Sequence, residues 1–191
     1  MSYYRQLMGE KCYLSPIDEK DAELYCTWLN DPYINCFLEA SFSVTPDDER
    51  ELIRKMKKEG NIVFGIVDKS TDKLIGGTGF HLIEPINRTA MYGIYIGDRE
   101  FHGKGYGFDA TMLILDYGFN MLNFKSIYLW AFAYNTKAID MYRKLGFKEM
   151  GRRRQARYLN GEYHDIIYMD ILEDEFPGYL VSKSLKSITG Q

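Results

Sequence analysis

The sequence predicts a single α/β (α+β) domain: a mixed central sheet of about seven strands with helices flanking it. Three observations carry this expectation. Residues 61–68, 74–82 and 89–97 are β-branched and aromatic runs joined by turn residues, the pattern of an antiparallel meander. Residues 101–108, Phe-His-Gly-Lys-Gly-Tyr-Gly-Phe, follow the third run and open the clearest helix pattern in the chain, with Phe108, Met112, Leu115, Phe119 and Leu122 spaced by four and three. Residues 126–132 are then almost continuously apolar, as in a strand buried on both faces beside a parallel neighbour. A strand-helix-strand crossover therefore runs through the glycine-rich loop.

The remaining elements follow in order. Residues 11–15 read as a first strand stopped by Pro16, which cannot donate to a ladder. Residues 18–29 form a helix with Ala22, Tyr25, Trp28 and Leu29 on one face, ended by the turn residues Asn30-Asp31-Pro32. Thr45-Pro46-Asp47-Asp48 starts a helix: Thr caps it, Pro suits its first position, and the acids favour its dipole. Leu52, Ile53 and Met56 are its expected buried side, while Arg54, Lys55, Lys57 and Lys58 read most simply as a solvated face. After the crossover, Asn135 caps a short helix over residues 136–145 that closes at Gly146. Residues 152–158 and 162–172 flank Asn160-Gly161, a favoured two-residue hairpin turn. The expected domain spans residues 1–173, and residues 174–191 read as a mobile tail.

Composition narrows the function classes. At 191 residues and 46% hydrophobic, the chain supports one good core. A net charge of -3 gives no global basic field for nucleic acid or an anionic membrane. The amino terminus lacks the apolar core of a signal peptide and no apolar run approaches the ~18 residues of a membrane span, so a cytoplasmic protein is expected. Cys12, Cys26 and Cys36 are odd in number and form no C-x-x-C pair, which points to neither a disulfide framework nor a zinc site. No metal is expected. A cysteine nucleophile would need a base close by, and His81, His102 and His164 all lie far from the cysteines in sequence. The number of chains in the assembly is left open.

Gly103, Gly105 and Gly107 let the backbone of the loop approach a ligand, with N–H groups converging ahead of a helix N-terminus. Such a place suits phosphate; the helix dipole contributes there and Lys104 adds a full charge. Their spacing fits neither the Walker pattern nor G-x-G-x-x-G, and an ordinary glycine turn is the plain alternative. His102-x-x-Gly105-x-Gly107, however, resembles the Arg/Gln-x-x-Gly-x-Gly/Ala signature of the GNAT superfamily of N-acetyltransferases. The run Asn135-Thr136-Lys137-Ala138-Ile139-Asp140-Met141-Tyr142-Arg143-Lys144-Leu145-Gly146-Phe147 resembles that superfamily's second signature, in the right order. Trp28-Leu29-Asn30-Asp31-Pro32, Phe37-Leu38-Glu39 and Gly161-Glu162-Tyr163-His164-Asp165 are similar to the branch containing ribosomal-protein N-terminal and amino-sugar acetyltransferases.

The resemblance implies an acetyl-CoA-dependent N-acetyltransferase that passes the acetyl group to a primary amine by direct attack in a ternary complex. It implies a pyrophosphate held by His102, Gly103, Lys104, Gly105, Tyr106 and Gly107, where His102 replaces the usual Arg or Gln. It further implies that Ile94, Tyr95 and Ile96 expose amides to the thioester and pantetheine, that Asn135 contacts the pantetheine arm, and that Tyr142 is the general acid. Capping alone would explain Asn135, and burial of a helix face alone would explain Tyr142. The base is missing: many relatives carry Glu where this chain has Met91, leaving Glu39, His81, Glu84, His164, Asp165 or a water chain. At pH 7 roughly one α-amine in ten is neutral against about one lysine amine in a few thousand. A site without a strong base therefore suits a protein N-terminal α-amine or an amino sugar. A catalytically silent CoA-binding module is the alternative favoured by Met91 and His102. The Arg152, Arg153, Arg154 and Arg157 cluster is either solvated or anion-binding, with at most half of it on one face.

Overall fold

The computed structural model describes residues 3–39 and 43–180. Its strands are β1 (Leu7–Met8), β2 (Cys12–Pro16), β3 (Ile62–Asp68), β4 (Leu74–Glu84), β5 (Thr89–Ile96), β6 (Ser126–Phe132), β7 (Lys148–Leu159) and β8 (Glu162–Leu172). The helices are α1 (Ala22–Leu29), α2 (Pro32–Asn35), α3 (Pro46–Lys58), α4 (Tyr106–Asn120) and α5 (Thr136–Lys144). One sheet holds the strands in the order β1-β2-β3-β4-β5-β6-β8-β7, and β5 and β6 are the parallel pair in it. The crossover through α4 is thus present, as is the β3-β4-β5 meander.

α4 and α5 cover one face of the sheet. Leu113, Ile114 and Leu115 of α4 and Ile139, Tyr142 and Leu145 of the α5 region are buried there with Phe80, Tyr92, Ile127 and Leu129. Each such aliphatic side chain contributes about 2 kcal/mol by leaving water. α1 and α3 cover the other face with a smaller core of Tyr13, Tyr25, Trp28, Ile53, Val67 and Leu74. Thr45 caps α3 in a reciprocal box with Asp48, each satisfying the other's backbone N–H.

Several expectations need correction. β1 and the short helix α2 carry too few residues to show a period. On α3, Leu52 is 44% exposed and Glu49 is buried instead, because the face set by Glu49, Ile53 and Met56 is the one that meets α1. α4 is buried on a wider arc than its apolar stripe predicts: Asp109 and Thr111 are interior and Phe108 is exposed. Asp109 is the fastening of the N-terminal edge, accepting the N–H groups of Glu10, Lys11 and Cys12 at 3.1, 2.8 and 3.0 Å.

The expected tail does not start free at residue 174. Phe176 packs on Phe119 at 5.4 Å, and the Tyr179 hydroxyl donates to Asp109 at 2.8 Å. Residues 181–191 of that tail lie outside the described residues. The arginine cluster does not alternate regularly either. The register of β7 on β8 shifts between Arg153 and Arg157, with Gln155 at φ 49° and its N–H on Asp165.

Candidate active site

β5 and β6 pair only from Thr89↔Ser126 to Met91↔Tyr128. Beyond Met91 the two strands part, so a cleft opens in the middle of the sheet at Tyr92 and Gly93. Because Gly97 N–H bonds to Ile75 O, the alternation of a strand's edges turns the amides of Gly93, Tyr95 and Gly97 toward β4. Ile94 and Ile96 are left with amides facing the cleft. This corrects the reading of Tyr95: its amide belongs to the β4 ladder, and its ring turns to the α1 side, edge-on to Trp28 at 6.3 Å. The cleft edge is not bare, since Ile96 O meets His102 Nε2 at 2.8 Å.

The glycine loop sits at the wide end of this cleft. Asp98 and a turn over Arg99–Phe101 lead into it, and Gly103 and Gly105 hold φ of 70° and 88°, conformations that a Cβ would strain. Asp109 N–H is the one that reaches back to Gly105 O, at 3.1 Å, so the N–H groups of the first turn, at Tyr106, Gly107 and Phe108, have no helical acceptor. They and the dipole of the 15-residue α4 face outward at the loop. Lys104 is exposed there. A second cation, Lys11, arrives from the bend just before β2: its Cε would lie 3.2 Å from a Cβ at Gly105, and its Nζ is 6.0 Å from the centre of the Tyr106 ring. No local signal in the sequence marks Lys11, because the β2 register alone brings it to the loop. The Tyr106 hydroxyl is committed to Asp68 at 2.7 Å, so its side chain serves the scaffold while its N–H stays in the first turn of α4.

Tyr142 lies on the α4 and α5 side, 7% exposed, with its ring edge-on to Tyr92 at 6.4 Å and to Phe147 at 5.7 Å. Burial pushes its phenol well above its ordinary value, so it is protonated at neutral pH. Asn135 caps α5, its Oδ1 accepting Ala138 N–H at 3.4 Å. The ordinary structural role of Asn135 is therefore occupied.

Across the sheet, the α1 side of the cleft is aromatic. Tyr134 stacks on Phe132 at 5.3 Å, meets His164 edge-on at 4.8 Å, and donates its hydroxyl to Cys36 O. The Arg157 guanidinium lies over Phe132 at 4.9 Å. Arg99 pairs with Asp31 and covers the Tyr33 ring at 4.1 Å, tying α2 to the approach of the glycine loop.

Of the base candidates, Glu84 is exposed and holds Asn87 at 2.6 Å. Asp165 accepts Gln155 N–H at 2.9 Å and Arg152 at 3.3 Å, and the backbone bond leads in holding its carboxyl below the usual range. Glu39 is exposed. His81 is half-buried opposite Met91, and burial lowers its imidazole below its ordinary value. Among the described residues no group of three His, Cys, Asp or Glu could hold a metal ion. Among them, too, no helix is long and apolar enough to cross a membrane.

A parallel pair that splits beside a glycine loop at a helix N-terminus is an arrangement suited to a phosphate-bearing ligand. The model of the acetyltransferase (GNAT) domain matches residues 11–148, and the chain belongs to that family, whose acyl donor is acetyl-CoA. It is 29% identical over 180 residues to an uncharacterized N-acetyltransferase, p20, of Bacillus licheniformis, covering 90% of this chain and 98% of that protein. To the spermidine N(1)-acetyltransferase of Vibrio cholerae it is 32% identical over 149 residues, 78% of this chain and 80% of that one. The crystal structure of a Vibrio cholerae spermidine N-acetyltransferase with CoA and spermine matches with a TM-score of 0.80 at 28% identity, over 86% of this chain and 97% of that one. The protein is an acetyl-CoA-dependent N-acetyltransferase.

Proposed function

We propose that the acceptor is a primary amine of low basicity, a protein N-terminal α-amine or an amino sugar, acetylated by direct attack within a ternary complex. The observation that carries this reading is the composition of the cleft. The strand that borders its opening offers Met91 and Gly93 where deprotonating a strongly basic amine would call for a carboxylate. An amine with a pKa near 8 is already about one-tenth neutral at pH 7 and needs less help.

In this reading the N–H groups of Gly103 to Gly107 and the charges of Lys104 and Lys11 hold the pyrophosphate of acetyl-CoA. The Ile94 and Ile96 amides line the pantetheine and the thioester, and the Ile94 N–H donates to the carbonyl oxygen as it gains charge. The amine nitrogen forms its bond to the carbonyl carbon, the tetrahedral centre collapses, and the carbon-sulfur bond breaks. Tyr142 gives its proton to the departing thiolate. Of the two protons that the ammonium form of the substrate sheds, one ends on the CoA thiol by way of Tyr142 and the other passes to solvent.

A polyamine acceptor is the second reading, favoured by similarity to the Vibrio cholerae enzyme. Against it, acids on the acceptor side are already engaged, Asp31 by Arg99 and Asp165 by Arg152, and Arg157 adds positive charge there. Release of CoA at pH 7 from saturating acetyl-CoA, with a peptide bearing a free N-terminal serine, glucosamine and spermidine compared by kcat/KM, decides between them. The peptide or the sugar is expected to lead. A preference for spermidine overturns the reading, and no CoA release with any of the three while acetyl-CoA still binds supports the silent module.

A further inference from the structure

We propose that His81 is the general base of the acetyl transfer, taking a proton from the acceptor amine at the point where β5 and β6 separate. This inference rests on the reading of the acceptor as an amine attacked in the cleft.

Register puts His81 there. It pairs with Met91, and Met91 is the last residue of β5 that pairs with β6. The next residue of β5 on the same face is Gly93. A Cβ at Gly93 would find the Cδ2 and Nε2 atoms of His81, both 3.8 Å away, and nothing else within 4 Å. The imidazole edge thus overhangs the first open position of the cleft, across a gap that glycine leaves clear. His81 is also held in place: the ladder shifts register directly after it, Leu82 turns outward at φ 46°, and Leu82 is 63% exposed. Among the described residues neither ring nitrogen has a hydrogen-bond partner, so the lone pair is available to a substrate.

The surroundings keep the ring neutral. Along the ladder the titratable groups nearest to it are Glu84, beyond the register shift and bonded by Asn87, Tyr128 opposite Met91, and Tyr95 two residues past Gly93. Burial raises both phenols, so they carry no charge at pH 7. Burial likewise holds His81 below its ordinary value of 6.5. Nε2 accepts the proton that the substrate ammonium sheds to become a nucleophile, and the imidazolium returns it to solvent through the open end of the cleft; the second proton, lost as the nitrogen bonds to the carbonyl carbon, replaces the one that Tyr142 gives up. The Tyr142 proton leaves with the thiolate on the opposite face of the sheet. Acid and base are thereby separated by the split strand pair, each serving one bond.

The test measures kcat/KM from pH 5.5 to 9.5 at saturating acetyl-CoA, using whichever of the serine peptide, glucosamine and spermidine the wild type turns over fastest. His81→Gln and His81→Asn should lose about 100-fold near pH 7. The acid limb set by the imidazole should give way to one that follows the amine's own pKa, and the deficit should shrink as the amine deprotonates by itself. Affinity for acetyl-CoA should stay within about twofold of wild type. Gly93→Ala, which adds a methyl at ordinary contact distance from the ring, should raise the KM of the amine and leave acetyl-CoA affinity unchanged. An NMR titration of the His81 imidazole should give a midpoint below 6.5 that moves when acetyl-CoA binds. Equal rates and an unchanged acid limb in both histidine variants overturn the base assignment alone, as does a deficit that is the same at every pH. A wild type that binds acetyl-CoA and acetylates none of the three amines overturns the function and the base together.

Discussion

The Tyr106 hydroxyl donates a 2.7 Å hydrogen bond to Asp68 Oδ1, linking the first residue of α4 to the end of β3. Asp68 is interior, and burial works against its charge, yet hydrogen bonds from Ser70, Thr71 and Tyr106 bring its pKa down to about 2. The glycine loop is thus braced from below by a carboxylate that it does not contain.

Tyr106→Phe should therefore cost about 2 kcal/mol at pH 7, the value of one charge-assisted hydrogen bond. A carboxyl with a depressed folded pKa stabilises the fold above its unfolded value of 3.8 and loses that contribution as pH falls toward 2. Urea unfolding at pH 7 and pH 3 should show the difference between variant and wild type shrinking at the lower pH. A difference that does not change with pH would mean that the phenol contributes through packing alone.

Gly105→Val places a branched side chain at φ 88°, where a Cβ also crowds Lys11 Cε. The left-handed conformation costs a non-glycine residue about 1–2 kcal/mol, so the protein should remain folded but less stable. Acetyl-CoA binding measured by calorimetry should fall below detection, because the backbone can no longer approach the pyrophosphate. A folded variant with unchanged affinity would move the phosphate site away from this loop.

Tyr142→Phe retains the ring that packs on Tyr92 and Phe147 and removes only the hydroxyl. If the phenol protonates the thiolate, kcat should drop by about 10² to 10⁴ while acetyl-CoA affinity and melting temperature hold. A tyrosine that is there for packing predicts wild-type turnover, measured where the chemical step limits the rate.

Glu49 is 3% exposed with Oε2 lacking a hydrogen-bond partner among the described residues, and burial raises its pKa above 4.5. A carboxyl with a raised folded pKa binds its proton more tightly when folded, so the fold loses stability as pH rises above 4.5. Glu49→Gln keeps the shape and removes the buried charge. It should stabilise the protein by about 1 kcal/mol at pH 8 and by little at pH 4, read as a shift in melting temperature. Equal effects at both values would show that ionisation of Glu49 plays no part.

Much of the fold is legible in the sequence because its signals are local. Asn160 and Gly161 take φ of 51° and 84°, as a tight hairpin turn requires, and Thr45 and Pro46 start α3 where short-range capping places them. The strand, loop and helix around Gly103 to Gly107 read correctly for the same reason: backbone conformation and side-chain period are fixed within a few residues. The family signatures at His102 to Gly107 and Asn135 to Phe147 add the cofactor.

What tertiary structure decided is which atoms meet across the sheet. A period identifies an amphipathic face and says nothing about its partner, so Leu52, expected inside, is left exposed and Glu49 is buried where α3 docks on α1. Lys11 reaches the glycine loop, and Asp109 gathers the amides of Glu10, Lys11 and Cys12, through a β2-to-α4 contact bridging almost a hundred residues. The same holds at the cleft. The sequence displays Met91 where a base is wanted and His81 ten residues earlier, and only the antiparallel register of β4 on β5 brings the imidazole edge over Gly93. Register is set by the packing of both faces at once, because a slip of one residue would turn every side chain of the strand to the opposite face.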